Sequence, residues 1–212
     1  MPKNRVLMDV TSVAALERDA ELMLRVREGD ERSFAILLEK HRNSVIHFLY
    51  RMIQNQAVSE ELAQEVFLRV YRSRETYEPT AKFTTWLFRI TTHLALNHLR
   101  DRKHDKLHDS IDDKAEDSRP RELAERALNV EQRLVREARL SEIRAAIEQL
   151  PEKQRAAVLM HKYREMEYSQ IAAVLGCSES AVKSLLFRAY ESLRNRLKHL
   201  SPSIGNPEGA KS

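Results

Sequence analysis

Tyr168-Ser169-Gln170-Ile171-Ala172-Ala173-Val174-Leu175-Gly176-Cys177-Ser178-Glu179-Ser180-Ala181-Val182-Lys183-Ser184-Leu185-Leu186-Phe187-Arg188 decides the fold. Ile171, Ala172 and Leu175 give a short apolar helix that stops at Gly176, the residue best able to take the left-handed conformation of a helix C-cap. Ser178 is a good N-cap for a second helix, which carries Val182, Leu185, Leu186 and Ala189 on its apolar side. A short helix, a glycine turn and a second helix read as a helix-turn-helix, with the small Ala172 allowing close approach. Cys177, in the turn, is the only cysteine of the chain and reads as a small buried hydrophobe.

In such a motif the second helix enters the DNA major groove with its N-terminal residues at base edges. Here that end offers Ser180, Lys183, Ser184, Phe187 and Arg188. Lys183 and Arg188 suit guanine or phosphate alike, and Ser184 suits either purpose.

Working outward, four glycines and six prolines in 212 residues predict an all-helical protein. Leu22, Leu24 and Val26 lead to a stop at Gly29-Asp30. Phe34, Leu37, Leu38, Val45, Phe48, Leu49 and Met52 recur at helical steps, and Leu62, Val66, Phe67 and Val70 repeat the pattern. Tyr77-Glu78-Pro79-Thr80 interrupts it, and a fourth helix is predicted from Phe83 or Thr84. Four helices of this size suffice for a bundle. Beyond Asp101 the sequence turns polar until periodicity resumes at Leu123 and runs to Leu150, after which Pro151 suits the first turn of a new helix.

The net charge is +4, and its placement says more than its size. Basic stretches at Lys82, Arg89, Arg100, Arg102, Lys103 and Lys106, and at Lys183, Arg188, Arg194, Arg196 and Lys198, flank an acidic patch of Asp109, Asp112, Asp113, Glu116 and Asp117. Two basic modules on an acidic connector suggest a polyanion touched at two places. A lone cysteine excludes intramolecular disulfides and thiolate-cluster metal sites and fits a reducing cytoplasm. No apolar run approaches the roughly 20 residues a bilayer requires, and the N-terminus does not read as a secretory signal, so a cytoplasmic protein without membrane insertion is expected.

The stretch Lys82-Phe83-Thr84-Thr85-Trp86-Leu87-Phe88-Arg89-Ile90 mixes aromatics with cations, the chemistry of single-strand binding. Trp86 shares a helical stripe with Ile90 and Leu94 and reads as core. Lys82, Arg89, His93, Asn97 and Arg100 fall on a different face, which suits nucleic acid or a solvated flank.

Together the two motifs resemble the extracytoplasmic-function group of the sigma-70 family of bacterial RNA polymerase sigma factors. The matching stretches are residues 30–35, 63–71, 83–90, 150–155, 171–172, 175–176 and 181–189, and their order and spacing carry the resemblance. It implies two small helical domains on a flexible linker. Residues 1–19 would be an N-terminal extension, 20–102 sigma region 2, and 103–138 an acidic linker, partly helical toward its end. Residues 139–198 would form sigma region 4 and 199–212 a disordered tail. The resemblance implies that Glu61, Gln64, Glu65, Leu68, Arg69 and Tyr71 dock on the clamp helices of the polymerase largest subunit. It implies that Tyr77, Thr80, Lys82, Phe83, Thr84, Thr85, Arg89, His93, Asn97 and Arg100 bind and melt the −10 element. Region 4 would read the −35 element and sit on the flap of the second-largest subunit, and an anti-sigma protein is a further implied partner. Leu185 and Tyr190 stand where the family often carries arginine, Gln170 replaces a common glutamate, and Glu167 a usual Ser or Thr cap. No cofactor, metal or catalytic residue is expected, since neither convergent carboxylates, a phosphate-cradling glycine loop nor a nucleophile–base pair is present. Two rivals differ in what they explain. A helix-turn-helix regulator acting as a dimer on duplex DNA leaves residues 82–89 without a task, and a nucleic-acid-processing enzyme lacks a site.

Overall fold

The computed structural model describes residues 10–108 and 130–200, with side chains for 18–104 and 134–200. The acidic patch at 109–117, the start of the periodicity at Leu123 and the expected tail from 201 onward lie outside the described residues.

Four helices form the first module: α1 (Val10–Arg27), α2 (Glu31–Ile53), α3 (Gln56–Arg72) and α4 (Phe83–His108). Their ends follow from local chemistry. Gly29 takes φ +95° after α1, and the Asp30 carboxylate caps α2 by accepting the amides of Arg32 (3.0 Å) and Ser33 (3.3 Å). Asn55 caps α3 through the Val58 amide at 3.0 Å. After a 3₁₀ turn at Arg74–Thr76 the chain runs extended through Pro79 and re-enters helix at Phe83. Met23, Leu37, Leu49, Met52, Phe83, Leu87 and Phe88 are fully buried between these helices, each contributing about 1.5–3 kcal/mol through removal from water.

The second module holds α5 (Val130–Glu148), α6 (Glu152–Tyr163), α7 (Tyr168–Leu175) and α8 (Glu179–Arg196). Pro151 precedes α6 as its N-cap, one position earlier than a first-turn proline. Gly176 adopts the left-handed conformation, and the next amide, of Cys177, returns to the Ala172 carbonyl at 3.1 Å. Ser178 Oγ then accepts the Ala181 amide at 3.2 Å and starts α8. The helix-turn-helix is thus built as the sequence predicts, with Cys177 partly buried in the turn.

The two helical modules match the expected two domains, and they pack against each other; most of the expected linker lies outside the described residues. α7 lies along α4, and α6 meets both α2 and α4. Arg155 of α6 is the main tie. Its guanidinium is buried and donates to the Met52 carbonyl at the end of α2, to the Glu148 carbonyl at the end of α5, and to the Leu150 carbonyl at 3.4 Å. The last carbonyls of a helix have no partner within it, so one planar fork serves the ends of two helices from different modules. Two stacked cations extend the seam, Arg51 over the Tyr163 ring at 4.2 Å and Arg164 over Phe88 at 4.6 Å.

Candidate nucleic-acid interface

α8 presents Ser180, Lys183, Ser184, Phe187 and Arg188, all exposed. Val182, Leu186 and Ala189 alternate with them and are buried, so burial of one side turns the other outward as a single face. Phe187 is 70% exposed, an unusual placement for a large apolar ring, and along the helix it falls between Lys183 and Arg188. Ser184 Oγ donates to the Ser180 carbonyl at 3.1 Å, which leaves its lone pairs outward. Leu185 and Tyr190 lie on the inner flank. Leu185 packs partly against the core, and the Tyr190 hydroxyl meets His161 Nδ1 of α6 at 2.9 Å. Burial, followed by the nearby Tyr168, pushes the Tyr190 phenol above its ordinary value. The two departures from arginine therefore serve packing within the module.

On the first module, Arg89, His93, Asn97 and Arg100 are exposed along α4 at steps of three and four residues, and Lys82 is exposed just before it. The segment before α4 divides sharply. Residues 78–82 are exposed, Thr84 is half-buried, and Tyr77, Phe83 and Thr85 are buried. Tyr77, Phe83 and Trp86 form one ring cluster, with centroids 6.2 Å apart for Tyr77–Phe83, 5.8 Å for Phe83–Trp86 and 4.9 Å for Tyr77–Trp86. As placed, then, Tyr77 and Phe83 are anchors at the two ends of the exposed segment and offer no stacking face to a base. Trp86 packs against the core as expected.

Thr85 has a second reason to be covered. Gln170 Nε2 of α7 donates to its hydroxyl at 3.4 Å, while Gln170 Oε1 accepts the Glu167 amide at 2.9 Å at the start of α7. A glutamate would keep the cap bond, and across the seam it would accept from the Thr85 hydroxyl instead of donating to it. On α3, Glu61, Gln64, Leu68 and Arg69 are exposed, with Leu68 at 50%, and Glu65 pairs with Arg69 at 2.7 Å. Tyr71, half-buried, packs edge-on to Phe34 and is part of the module's wall.

Three groups were not anticipated. Asp19 of α1 is 2% exposed and accepts from Lys40 at 2.6 Å, with His41 Nε2 3.0 Å away. Burial raises its carboxyl, but the bonds and charges of His41 and Lys40 outweigh that and hold it below the ordinary carboxylate value. Arg155 was visible in its motif but without a role. Arg164, whose Nε is buried and unpartnered, has its guanidinium lowered by burial and then by Arg51. Among the described residues no three His, Cys, Asp or Glu side chains converge as a metal site, and no helix is long and apolar enough to cross a membrane.

The model of sigma-70 region 2 matches residues 37–104 and that of sigma-70 region 4 matches residues 140–193, so the two modules fall one to each. The chain is 32% identical over 188 residues to the RNA polymerase sigma-H factor of Pseudomonas aeruginosa, covering 87% of this chain and 96% of that one. The chain belongs to the extracytoplasmic-function group of sigma-70 factors. The ECF RNA polymerase sigma factor SigW of Bacillus subtilis is 28% identical over 177 residues, 83% of this chain and 95% of its own. In fold, the chain resembles CnrH, solved in complex with the cytosolic domain of CnrY, with a TM-score of 0.64, 20% identity and coverage of 87% and 99%. It also resembles the sigma factor RpoE of Bartonella quintana, solved with the anti-sigma factor NepR, with a TM-score of 0.63, 20% identity and coverage of 79% and 98%. As a sigma factor it serves transcription initiation, and sigma factors as a family are not enzymes.

Proposed function

We propose that this sigma factor reads the −35 element with Ser180, Lys183, Ser184, Phe187 and Arg188, and engages the −10 element along Lys82, Arg89, His93, Asn97 and Arg100. It docks on the clamp helices of the polymerase largest subunit through Glu61, Gln64, Leu68 and Arg69 of α3, and region 4 sits on the flap of the second-largest subunit. The observation that carries this reading is the exposed cationic and polar stripe of α4. It lies beside a segment whose ends are anchored and whose tip, residues 78–82, is free to meet an unpaired base. Flipping a base costs a few kcal/mol, which fixed contacts at that tip offset. A duplex-only regulator would need the α8 face but not this stripe.

In the packed conformation α7 stands beside Thr85, so use of Thr85 by DNA requires the modules to part at the Gln170 contact. An anti-sigma partner belongs to the same proposal, supported by the fold shared with RpoE, which was solved with one. The test is run-off transcription on a genomic fragment library with core polymerase. Discrete start sites that vanish without the chain support the reading. Failure to associate with core at any salt concentration overturns it, as does tight palindrome binding without polymerase.

A further inference from the structure

The exposed tip at 78–82 has no regular structure of its own, so its position depends on what holds its two ends. At one end Tyr77 is buried, and its carbonyl accepts Arg27 Nη1 of α1 at 3.4 Å. At the other end Phe83 is buried with its ring 5.4 Å from the imidazole of His41. His41 is itself fixed by the Asp19 carboxylate, which Lys40 shares from its half-exposed position. The Tyr77 hydroxyl is buried without a hydrogen-bond partner, and burial, followed by the field of the same carboxylate, raises its phenol. A buried carboxylate, an imidazole and two aromatic anchors thus form a continuous floor beneath the tip.

α1, which supplies Asp19 and Arg27, lies outside the matched region 2 segment. A surface acid would serve solubility equally well at any position. A nearly fully buried one, between two partners and beneath a ring cluster, costs desolvation that only its bonds offset. The Asp19 carboxylate meets His41 Nε2 at 3.0 Å, and the imidazole lies against the Phe83 ring at the end of the tip.

We propose that Asp19 and His41 are positioning residues for strand capture, acting through Phe83 on residues 78–82 without touching DNA themselves. The inference rests on the sigma reading above and names a part of its melting machinery. A misplaced tip would fail when a base must be extracted from duplex DNA, and would matter little when the strand is already separated.

The test uses the full chain with core polymerase on one promoter in two forms, fully duplex and pre-mismatched across the −10 element, at a temperature below the unfolding midpoint of every variant. Asp19→Ala and His41→Ala are expected to slow open-complex formation on duplex about tenfold, within what an ångström-scale misplacement can cost, and about twofold or less on the pre-opened template. Asp19→Asn, which retains an acceptor for His41, is expected to recover to within about threefold of the parent. Val66→Ala is the control for lost stability, since Val66 is fully buried on α3 and the ring cluster is formed by Tyr77, Phe83 and Trp86, none of them on α3. Equal defects on both templates, no defect at all, the same duplex-selective defect in Val66→Ala, or Asn as damaging as Ala would each overturn the proposal. If the parent chain opens neither template with core polymerase, the sigma reading itself has failed, which is a separate result.

Discussion

The two regions proposed to face DNA are built on opposite principles. On α8 the proposed reading residues are all exposed, and the residues that hold the helix in place are different ones, Val182, Leu186 and Ala189. Ahead of α4 the two jobs fall within a few positions of each other: residues 78–82 are exposed between Tyr77 and Phe83, which are buried. A rigid helix needs no local help to position a side chain. An extended segment does, and it gets that help by sinking both ends into the core. On the proposed assignment, recognition of duplex DNA can be altered at α8 without touching stability, whereas strand capture and stability are coupled in the first module.

The sharpest way to break this comparison is Phe83→Ala. Removing a fully buried aromatic ring is expected to cost about 3–5 kcal/mol of unfolding free energy, read by denaturant titration. Stability unchanged together with lost promoter opening would make Phe83 a surface contact after all, and the two regions alike.

Arg155→Ala comes next and tests the seam between the regions. It strips the donor from carbonyls at the ends of both α2 and α5, in surroundings where water does not replace it freely. A loss of about 2–3 kcal/mol is expected, with lysine a poor substitute because a single ammonium cannot span two helix ends. A loss confined to the second module in hydrogen exchange, with α2 unaffected, would show that the bond to Met52 carries no weight.

Arg188→Ala sharpens the other side. It is expected to weaken −35-dependent binding by about 1–3 kcal/mol if Arg188 reads a base, with the unfolding midpoint unchanged because the side chain is exposed. A uniform loss across promoter sequences, with a smaller salt dependence, would assign it to phosphate instead.

Much of this architecture was legible in the sequence, for a physical reason. Gly176 and Ser178 act through local backbone chemistry, and the α8 face follows from helical period alone. Asp19 was missed because the run around it, Glu17-Arg18-Asp19-Ala20-Glu21, reads as solvated charge. The signal was there in its spacing, since Asp19 shares the three- and four-residue stripe of Leu22, Met23 and Val26, all buried. Tyr77 and Phe83 were expected among the DNA contacts from the family resemblance, and neither the resemblance nor composition shows that packing buries both rings. Arg155 could not be read at all, because its partners are backbone carbonyls and one of them lies 103 residues away.

The smallest expected effect concerns a residue in the loop before α7, where the second module departs from the good local chemistry of its turn. Glu165 sits at φ +50°, the left-handed region that Gly176 occupies without cost. A Cβ there is held against its preference, and the Glu165 side chain is exposed, so little packing compensates. Glu165→Gly is expected to stabilise the chain by up to about 1 kcal/mol, the relief of one strained residue less the extra chain entropy of glycine. Because the turn positions α7 and not the outer face of α8, −35 binding should not change. A thermal midpoint that rises while −35 affinity stays constant would confirm that support and reading are separable in this module. A fall in affinity would mean that the turn before α7 also sets the pose of α8 on DNA, so that the second module couples its two jobs as the first one does.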